Sequence, residues 1–366
     1  LNNGIKILLL PFAYLYGMIT LLRNRLYDWH LLKEKTFDVH TIGVGNMAVG
    51  GAGKTPLVEY LIRLLLKEEP KIATLSRGYK RKTRGYLLAD ENSTAEDIGD
   101  EPLIYKSKYP VLVAVDGNRA NAIKNLSKLD SKAPKIILLD DAFQHRSIKC
   151  GLSIVVTDYH NLFFKDFMLP SGTLREFRGG IQRADMIIVS KTPDRTSPVE
   201  IRTLIKDINP GAHQQVFFSY LKYGELYSIS NVQDKISTLN DLFRFNIISF
   251  AGIANAEPMV NYLKEYAADV RHLKFDDHHE FSLKDLEDIE SYYNSFQGGN
   301  KLLVTTEKDL MRLKNNSVWR VAERMNIYIL PVEVTFNDKE AEFNAAILKY
   351  VRTKSLGHSS FTTRPI

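Results

Sequence analysis

The sequence predicts an α/β protein: a mostly parallel sheet with helices between its strands, a second, smaller α/β domain after it, and an apolar N-terminal helix. Three observations carry this. Short apolar runs recur and end in polar or glycine-rich clusters. Several are separated by stretches of helical spacing, such as Leu57, Tyr60, Leu61, Leu64 and Leu65. Residues 7–22, ILLLPFAYLYGMITLL, hold no charged side chain. Strands alternating with helices build parallel sheets, which bind ligands beyond the carboxyl ends of their strands.

Taken in order, Val39 to Val44 reads as a strand that runs into a glycine loop, and Pro56 to Lys67 as the helix behind it, with Pro56 in its first turn. Lys71 to Leu75 is the next strand. A helix begins at Gly99-Asp100-Glu101-Pro102, where two carboxylates suit the positive end of its dipole. Val111 to Val115 leads to Asp116, Asn118 and Arg119, and Lys135 to Leu139 leads to Asp140-Asp141. Leu152 to Val156 and Met186 to Val189 are further strands. Gln214 to Ser219 and Leu226 to Ile229 read as a linking ribbon. Phe245 to Phe250, Val270 to Phe275, Leu302 to Val304 and a late strand from Ile327 to Val334 then form a second domain. The expected division is 1–210, 211–350 and a polar tail at 351–366.

The 366 residues carry 49 basic and 43 acidic side chains, a formal charge of +6. That excess is mild, and with no dense basic run, zinc-finger spacing or basic zipper, nucleic acid is not an expected partner. A single cysteine, Cys150, excludes a disulfide framework; set between two apolar strands, it reads as a buried side chain. The apolar run would cover about 24 Å as a helix, short of the roughly 30 Å bilayer core. No small-residue cleavage motif follows it. The segment either docks on the protein's own core or lies on a membrane with Arg23 and Arg25 at the headgroups; the second reading is preferred.

The loop Gly43 to Pro56 reads GVGNMAVGGAGKTP. Gly50, Gly51 and Gly53 let successive N–H groups face phosphates, Lys54 reaches the transferring phosphate, and Thr55 offers its hydroxyl to Mg²⁺. One position departs from the usual pattern, since Ala48 stands where the first glycine belongs. Asp140 or Asp141 supplies the acid a Mg–nucleotide needs, and Gln144 and His145 follow within reach. The guanine-reading motif is absent: Ser190-Lys191-Thr192-Pro193 has proline where its acid belongs, so ATP is expected. These features make the fold P-loop NTPase-like. A hydroxyl acceptor also needs a base. Asp100, Asp116 and Glu176 are the candidate acids, and His278 and His279 the candidate imidazoles.

The set Gly45-Asn46 with Gly50-Gly51-Ala52-Gly53-Lys54-Thr55-Pro56, Ser76-Arg77-Gly78-Tyr79, Gly99-Asp100-Glu101-Pro102, Asp140-Asp141-x-Phe143-Gln144-His145, Pro170-x-Gly172-x-Leu174-Arg175-Glu176, Asp277-His278 and Thr306-x-Lys308-Asp309 resembles the tetraacyldisaccharide 4′-kinases. The resemblance spans roughly residues 5–340. A missing first glycine is itself a mark of that family, so Ala48 fits; Ala142 stands where glycine is common there. The resemblance implies transfer of the ATP γ-phosphoryl group to the 4′-hydroxyl of an acylated glucosamine disaccharide 1-phosphate. It implies a need for Mg²⁺ and work by a monomer at the cytoplasmic face of a bacterial inner membrane. It makes Asp100 and His278 an acceptor-activating dyad, with Lys54 and Glu176 as further catalytic groups. Asp140, Asp141 and Thr55 fall to the metal. Asn46, the loop from Gly50 to Pro56, Thr306, Lys308 and Asp309 fall to the nucleotide. Arg77, Asn118, Arg119, Gln144, His145 and Arg175 fall to the acceptor. An amphiphilic acceptor would account for the apolar N-terminus, and Phe163, Phe164, Phe167, Met168 and Leu169 are either core or a seat for acyl chains. The rival readings are a nucleotide-driven switch or metal-insertion ATPase, and a membrane-tethered binding module.

Overall fold

Two sheets organise the computed structural model, which describes residues 3–236, 241–296, 299–314 and 318–353. Helix α1 (Asn3–Asp28) comes first. Eight strands follow: β1 (His40–Asn46), β2 (Ile72–Ser76), β3 (Leu87–Leu88), β4 (Leu112–Val115), β5 (Ile136–Asp140), β6 (Leu152–Asp158), β7 (Met186–Ser190) and β8 (Gln215–Phe218). They form one sheet in the order β3-β4-β2-β5-β1-β6-β7-β8. Every pairing is parallel except β3 with β4. Helices α2 (Lys54–Leu66), α3 (Ala95–Ile98), α4 (Asp100–Lys108), α5 (Arg119–Leu126) and α6 (Pro198–Ile208) lie between strands. The apolar run Ile136-Ile137-Leu138-Leu139 is buried throughout, as expected of a central parallel strand covered on both faces.

A two-stranded ribbon, β9 (Tyr220–Tyr223) against β16 (Val332–Thr335), stands beside a second sheet. That sheet holds β10 (Leu226–Ser228), β11 (Lys235–Ile236), β12 (Asn246–Ala251), β13 (Asp269–Lys274), β14 (Lys301–Thr306) and β15 (Ile327–Leu330), in the order β11-β10-β15-β14-β12-β13. Its helices are α7 (Glu257–Tyr266), α8 (Leu283–Ser295), α9 (Glu307–Lys314) and α10 (Trp319–Ala322).

Three expectations shift. The late strand from Ile327 to Val334 is two strands broken at Pro331, which has no N–H to give a ladder. Residues 214–219 are not the ribbon: β8 extends the first sheet beside β7, carrying that unit past residue 210. The last helix, α11 (Glu340–Arg352), returns to the first sheet, where the Tyr350 hydroxyl accepts from Thr41 N–H at 3.1 Å and lies 3.2 Å from Thr41 O. Phe343 on α11 stacks on Phe336 at 4.0 Å and meets Phe217 edge-on at 5.2 Å. Its full burial contributes about 1.5–3 kcal/mol. The expected polar tail lies, beyond Thr353, outside the described residues.

Helix α1 touches the protein by a narrow stripe. Ala13 and Gly17 are buried, whereas Ile7, Leu8, Phe12, Leu15, Ile19 and Leu22 are exposed. Within Gly4–Asp28 an 18-residue stretch has a mean hydropathy of 1.9 with only 11% of it buried, and the helix is long and apolar enough to cross a membrane. Gly17 permits the contact, since a Cβ there would meet the Phe177 ring at 2.5 Å. Of the second apolar cluster, Phe163 and Met168 are core and Phe167 is exposed. Cys150 packs under Gly43, and burial pushes its thiol up to about 12.

Candidate active site

A cleft of about 690 Å³ opens at the carboxyl ends of β1, β2, β4 and β5, walled by α9 and the loop after β13 from the second sheet. The phosphate loop forms its floor. Gly53 caps α2 at φ 79° and Gly50 sits at φ 113°, left-handed backbone that glycine alone adopts easily. Ala48 needs no such freedom. It pairs with Leu174 as an isolated antiparallel bridge, and Val49 N–H donates to Thr173 O at 2.8 Å, so the first loop position is extended. Gly45 has a different reason, because a Cβ there would meet Phe143 Cβ at 2.6 Å.

Lys54 Nζ donates to Asn46 Oδ1 at 3.0 Å and lies 3.2 Å from Asp141 Oδ1. Asn46 is buried, and it positions the lysine from beneath while lying outside the cleft lining. Asp141, at φ 50°, is also held by Arg175 at 3.0 Å. Burial opposes its charge, but Lys54 and Arg175 keep its carboxyl below the usual range. Asp140 is its opposite: fully buried, it accepts from the Tyr105 hydroxyl at 2.9 Å through Oδ2, while Oδ1 has no protein partner. Burial, reinforced by Glu101, pushes Asp140 up.

The sequence reading gave Glu101 no role at the site. It accepts from the Thr55 hydroxyl at 2.8 Å and from Lys308 Nζ at 2.7 Å, joining the loop to α9 of the second sheet. Burial resists its ionisation, yet Lys308 and Lys54 hold it low. A carboxylate in a helix's first turn reads as a dipole partner, so its second neighbour, far along the chain, left no local signal.

Across the cleft, His278 Nδ1 lies 3.0 Å from Asp100 Oδ2. His278 sits at φ 60°, its N–H donating to Gly252 O at 3.0 Å, so the turn aims the ring at α4. Lys80 Nζ donates to His278 O at 3.4 Å, and the Tyr79 ring is 5.0 Å away. Arg312, also missed, is buried beneath the pair: Nε donates to Asp100 Oδ2 at 2.8 Å and Nη1 to Asp309 Oδ1 at 2.8 Å. Burial would raise Asp100, but His278 and Arg312 hold it below its ordinary value.

Other expected residues divide by place. Asp309 is wholly buried and accepts from the Thr306 hydroxyl at 2.7 Å; it supports α9 from within, whereas Thr306 and Lys308 line the cleft. Arg77, Arg119, Gln144, His145 and Arg175 line it too. Asn118 does not: it caps α5 by accepting from Asn121 N–H. Glu176 is buried in the wall with both oxygens engaged, by Arg183 at 2.9 and 2.8 Å, Asn24 at 2.9 Å and Gln144 at 3.2 Å. Asp116 gives its carboxylate to Asn118 N–H and Asn121. His279 pairs with Asp285 at 3.0 Å, away from the cleft lining.

Known proteins resemble this chain over nearly its whole length. The family model for Tetraacyldisaccharide-1-P 4′-kinase matches residues 5–352. The chain belongs to the tetraacyldisaccharide 4′-kinase family. It is 42% identical over 365 residues to the tetraacyldisaccharide 4′-kinase of Bacteroides thetaiotaomicron, covering 97% of this chain and 96% of that one. To the Flavobacterium johnsoniae enzyme of the same name it is 44% identical over 352 residues, covering 96% and 98%. The crystal structure of LpxK from Aquifex aeolicus in complex with ATP superposes with a TM-score of 0.72 at 30% identity, covering 95% and 99%. The P-loop kinase fold of the tetraacyldisaccharide 4′-kinases is thus this chain's fold.

Proposed function

We propose that this chain transfers the γ-phosphoryl group of ATP to the 4′-hydroxyl of an acylated glucosamine disaccharide 1-phosphate. The observation that carries the reading is the 3.0 Å contact between His278 and Asp100, made between the two sheets over the phosphate loop. With Nδ1–H donating to Asp100, the lone pair of Nε2 is free to accept the hydroxyl proton as the phosphoryl group is attacked. Arg312 holds Asp100 in position. Lys54 and the N–H groups from Gly50 to Thr55 hold the nucleotide's phosphates, with the positive end of α2 behind them. The names of the relatives and the ATP in the solved neighbour support donor and acceptor alike.

The oxygens of Thr55, Asp140 and Asp141 suit Mg²⁺. Asp140 Oδ1 is buried without a protein partner, and the described residues hold no cluster of three or more metal-ligating side chains. That sparse set fits an ion that takes one or two carboxylates and completes its shell with phosphates and water. When bound, Mg²⁺ neutralises charge on the transferring phosphates. The Thr55 hydroxyl donates its proton to Glu101, so its oxygen lone pairs would remain available to the ion. Glu176, its oxygens already engaged, serves as a positioning residue for Gln144 and Asn24.

Helix α1 lies in the cytoplasmic face of a bacterial inner membrane, with Arg23 and Arg25 near the headgroups, and brings a monomeric enzyme to its lipid acceptor. The two sheets act as two units, the first extending to Phe218 and including α11. The test is incubation of the full chain with Mg–ATP and the acceptor in neutral detergent. A product one phosphate heavier, modified at the 4′ position, is expected. ATP hydrolysis with no transfer would favour a nucleotide-driven switch instead.

A further inference from the structure

Helices α2, α4 and α9 are joined twice. The first joint faces the cleft, where Glu101 of α4 accepts from Thr55 of α2 and Lys308 of α9. The second is made by Lys108, the last residue of α4, which lies outside the cleft lining. Its Nζ is 2.6 Å from Glu59 Oε1 on α2 and donates to Glu307 Oε1 on α9 at 2.8 Å. Glu59 comes four residues after Thr55, and Lys108 seven after Glu101, so each pair shares a helix face. Glu307 stands between Thr306 and Lys308, both in the cleft lining. The two joints are rungs of one ladder across the same three helices.

The second rung has more acid than base. Glu59 and Glu307 are 3% and 8% exposed, and a carboxylate removed from water is costly without a paired cation. One ammonium touches both. Burial, and then Glu59, push Glu307 above its ordinary value. The other polar groups facing the rung are spoken for. The Tyr109 hydroxyl donates to Glu59 Oε1 at 3.1 Å and accepts from Arg63 Nη1 at 3.0 Å. Arg63 also lies 3.6 Å from Glu333 on β16, and Tyr227 on β10 faces Glu307. Without Lys108, two buried carboxylates would repel each other across the join of α2 and α9. Thr306 and Lys308 would then move away from the phosphate loop, because they flank Glu307.

We propose that Lys108 is a positioning residue for the nucleotide: by holding Glu59 and Glu307 on one ammonium, it fixes Thr306 and Lys308 at the right reach from the phosphate loop. The inference rests on the kinase reading above, and Lys108 acts through α9 from outside the cleft.

The experiment measures the affinity of the full chain for a non-hydrolysable ATP analogue with Mg²⁺. It also measures kcat and the acceptor KM in neutral detergent, and the melting temperature. Wild type is compared with Lys108→Met, Lys108→Arg, and Lys108→Met combined with Glu307→Gln. Lys108→Met should weaken analogue binding by about tenfold to a hundredfold. Its kcat at saturating ATP and its acceptor KM should stay within about threefold of wild type. Lys108→Arg keeps a cation that can reach both carboxylates and should retain most of the affinity. The combined variant removes the repulsion but not the gap, so its melting temperature should return towards wild type while its affinity stays low. Should Lys108→Met fail to fold, the combined variant decides alone. Wild-type affinity in Lys108→Met would overturn the proposal. So would affinity that recovers together with the melting temperature in the combined variant, or equal losses in kcat and both substrates' binding, since each marks a purely structural role. Wild type that binds the analogue but phosphorylates no acceptor would refute the kinase reading instead, and the analogue affinities would still decide the role of Lys108.

Discussion

Arg312 Nε donates to Asp100 Oδ2 at 2.8 Å, the same oxygen that His278 Nδ1 meets at 3.0 Å. Both partners come from the second sheet's side of the cleft, whereas Asp100 opens α4 in the first. One carboxylate oxygen therefore ties the two units together where the acceptor hydroxyl is proposed to be activated.

Because Arg312 also bridges to Asp309 and Gly252 O, its fork shape matters as much as its charge. Arg312→Lys should lower kcat by about tenfold to a hundredfold while barely moving the KM for ATP. Truncation to Ala should instead unfold or strongly destabilise the chain, by about 3–5 kcal/mol, because Asp309 would remain buried without its cationic partner. Steady-state kinetics and thermal melts distinguish the two.

Glu101 links Thr55 to Lys308. Glu101→Gln keeps the shape and removes the charge that holds Lys308, so nucleotide affinity and turnover should both fall, by tenfold or more in kcat/KM. Titration with an ATP analogue and turnover assays check this; unaltered values would reduce the bridge to packing.

His145 gives a pH signature. Its folded value is lowered from 6.5 to about 4, so between these values the unfolded chain binds a proton that the folded chain refuses. The stabilisation is fully present above pH 6.5 and drains away as the pH falls towards 4. In His145→Asn the decline in melting temperature across this window should be shallower than in wild type. Parallel curves would contradict the assignment.

Gly17 lets α1 rest on Phe177, and Asn24 one stripe further on donates to Glu176. Gly17→Val should lift the helix and loosen that wall of the cleft. The expected result is a raised KM for the lipid acceptor with nucleotide affinity retained, measured by titrating each substrate separately. A loss confined to ATP would place the role of α1 elsewhere.

Much of this was legible in the chain because it is local. The phosphate loop, Asp140-Asp141 and the helix start at Asp100 are written in consecutive residues beside apolar strands. The dyad was readable only through the family resemblance, since nothing in the spacing brings residue 278 to residue 100. Arg312 and Glu101 were given no role at the site for the same reason: each looks like an ordinary helix-surface charge until tertiary folding adds its second partner. Asn118 shows that a polar residue at a strand end can cap a helix as readily as bind a ligand. The ribbon was misplaced because β8 and β9 are adjacent extended segments, and only strand pairing separates them.

The most direct test of the central claim is a kinetic cycle on Asp100→Asn, His278→Gln and the double variant. If the two residues act as one unit, each single change should lower kcat/KM for the acceptor by about 10²–10⁴, and the double should be scarcely slower than the worse single. Losses that simply multiply in the double variant would mean that Asp100 and His278 act independently, and the dyad would be wrong.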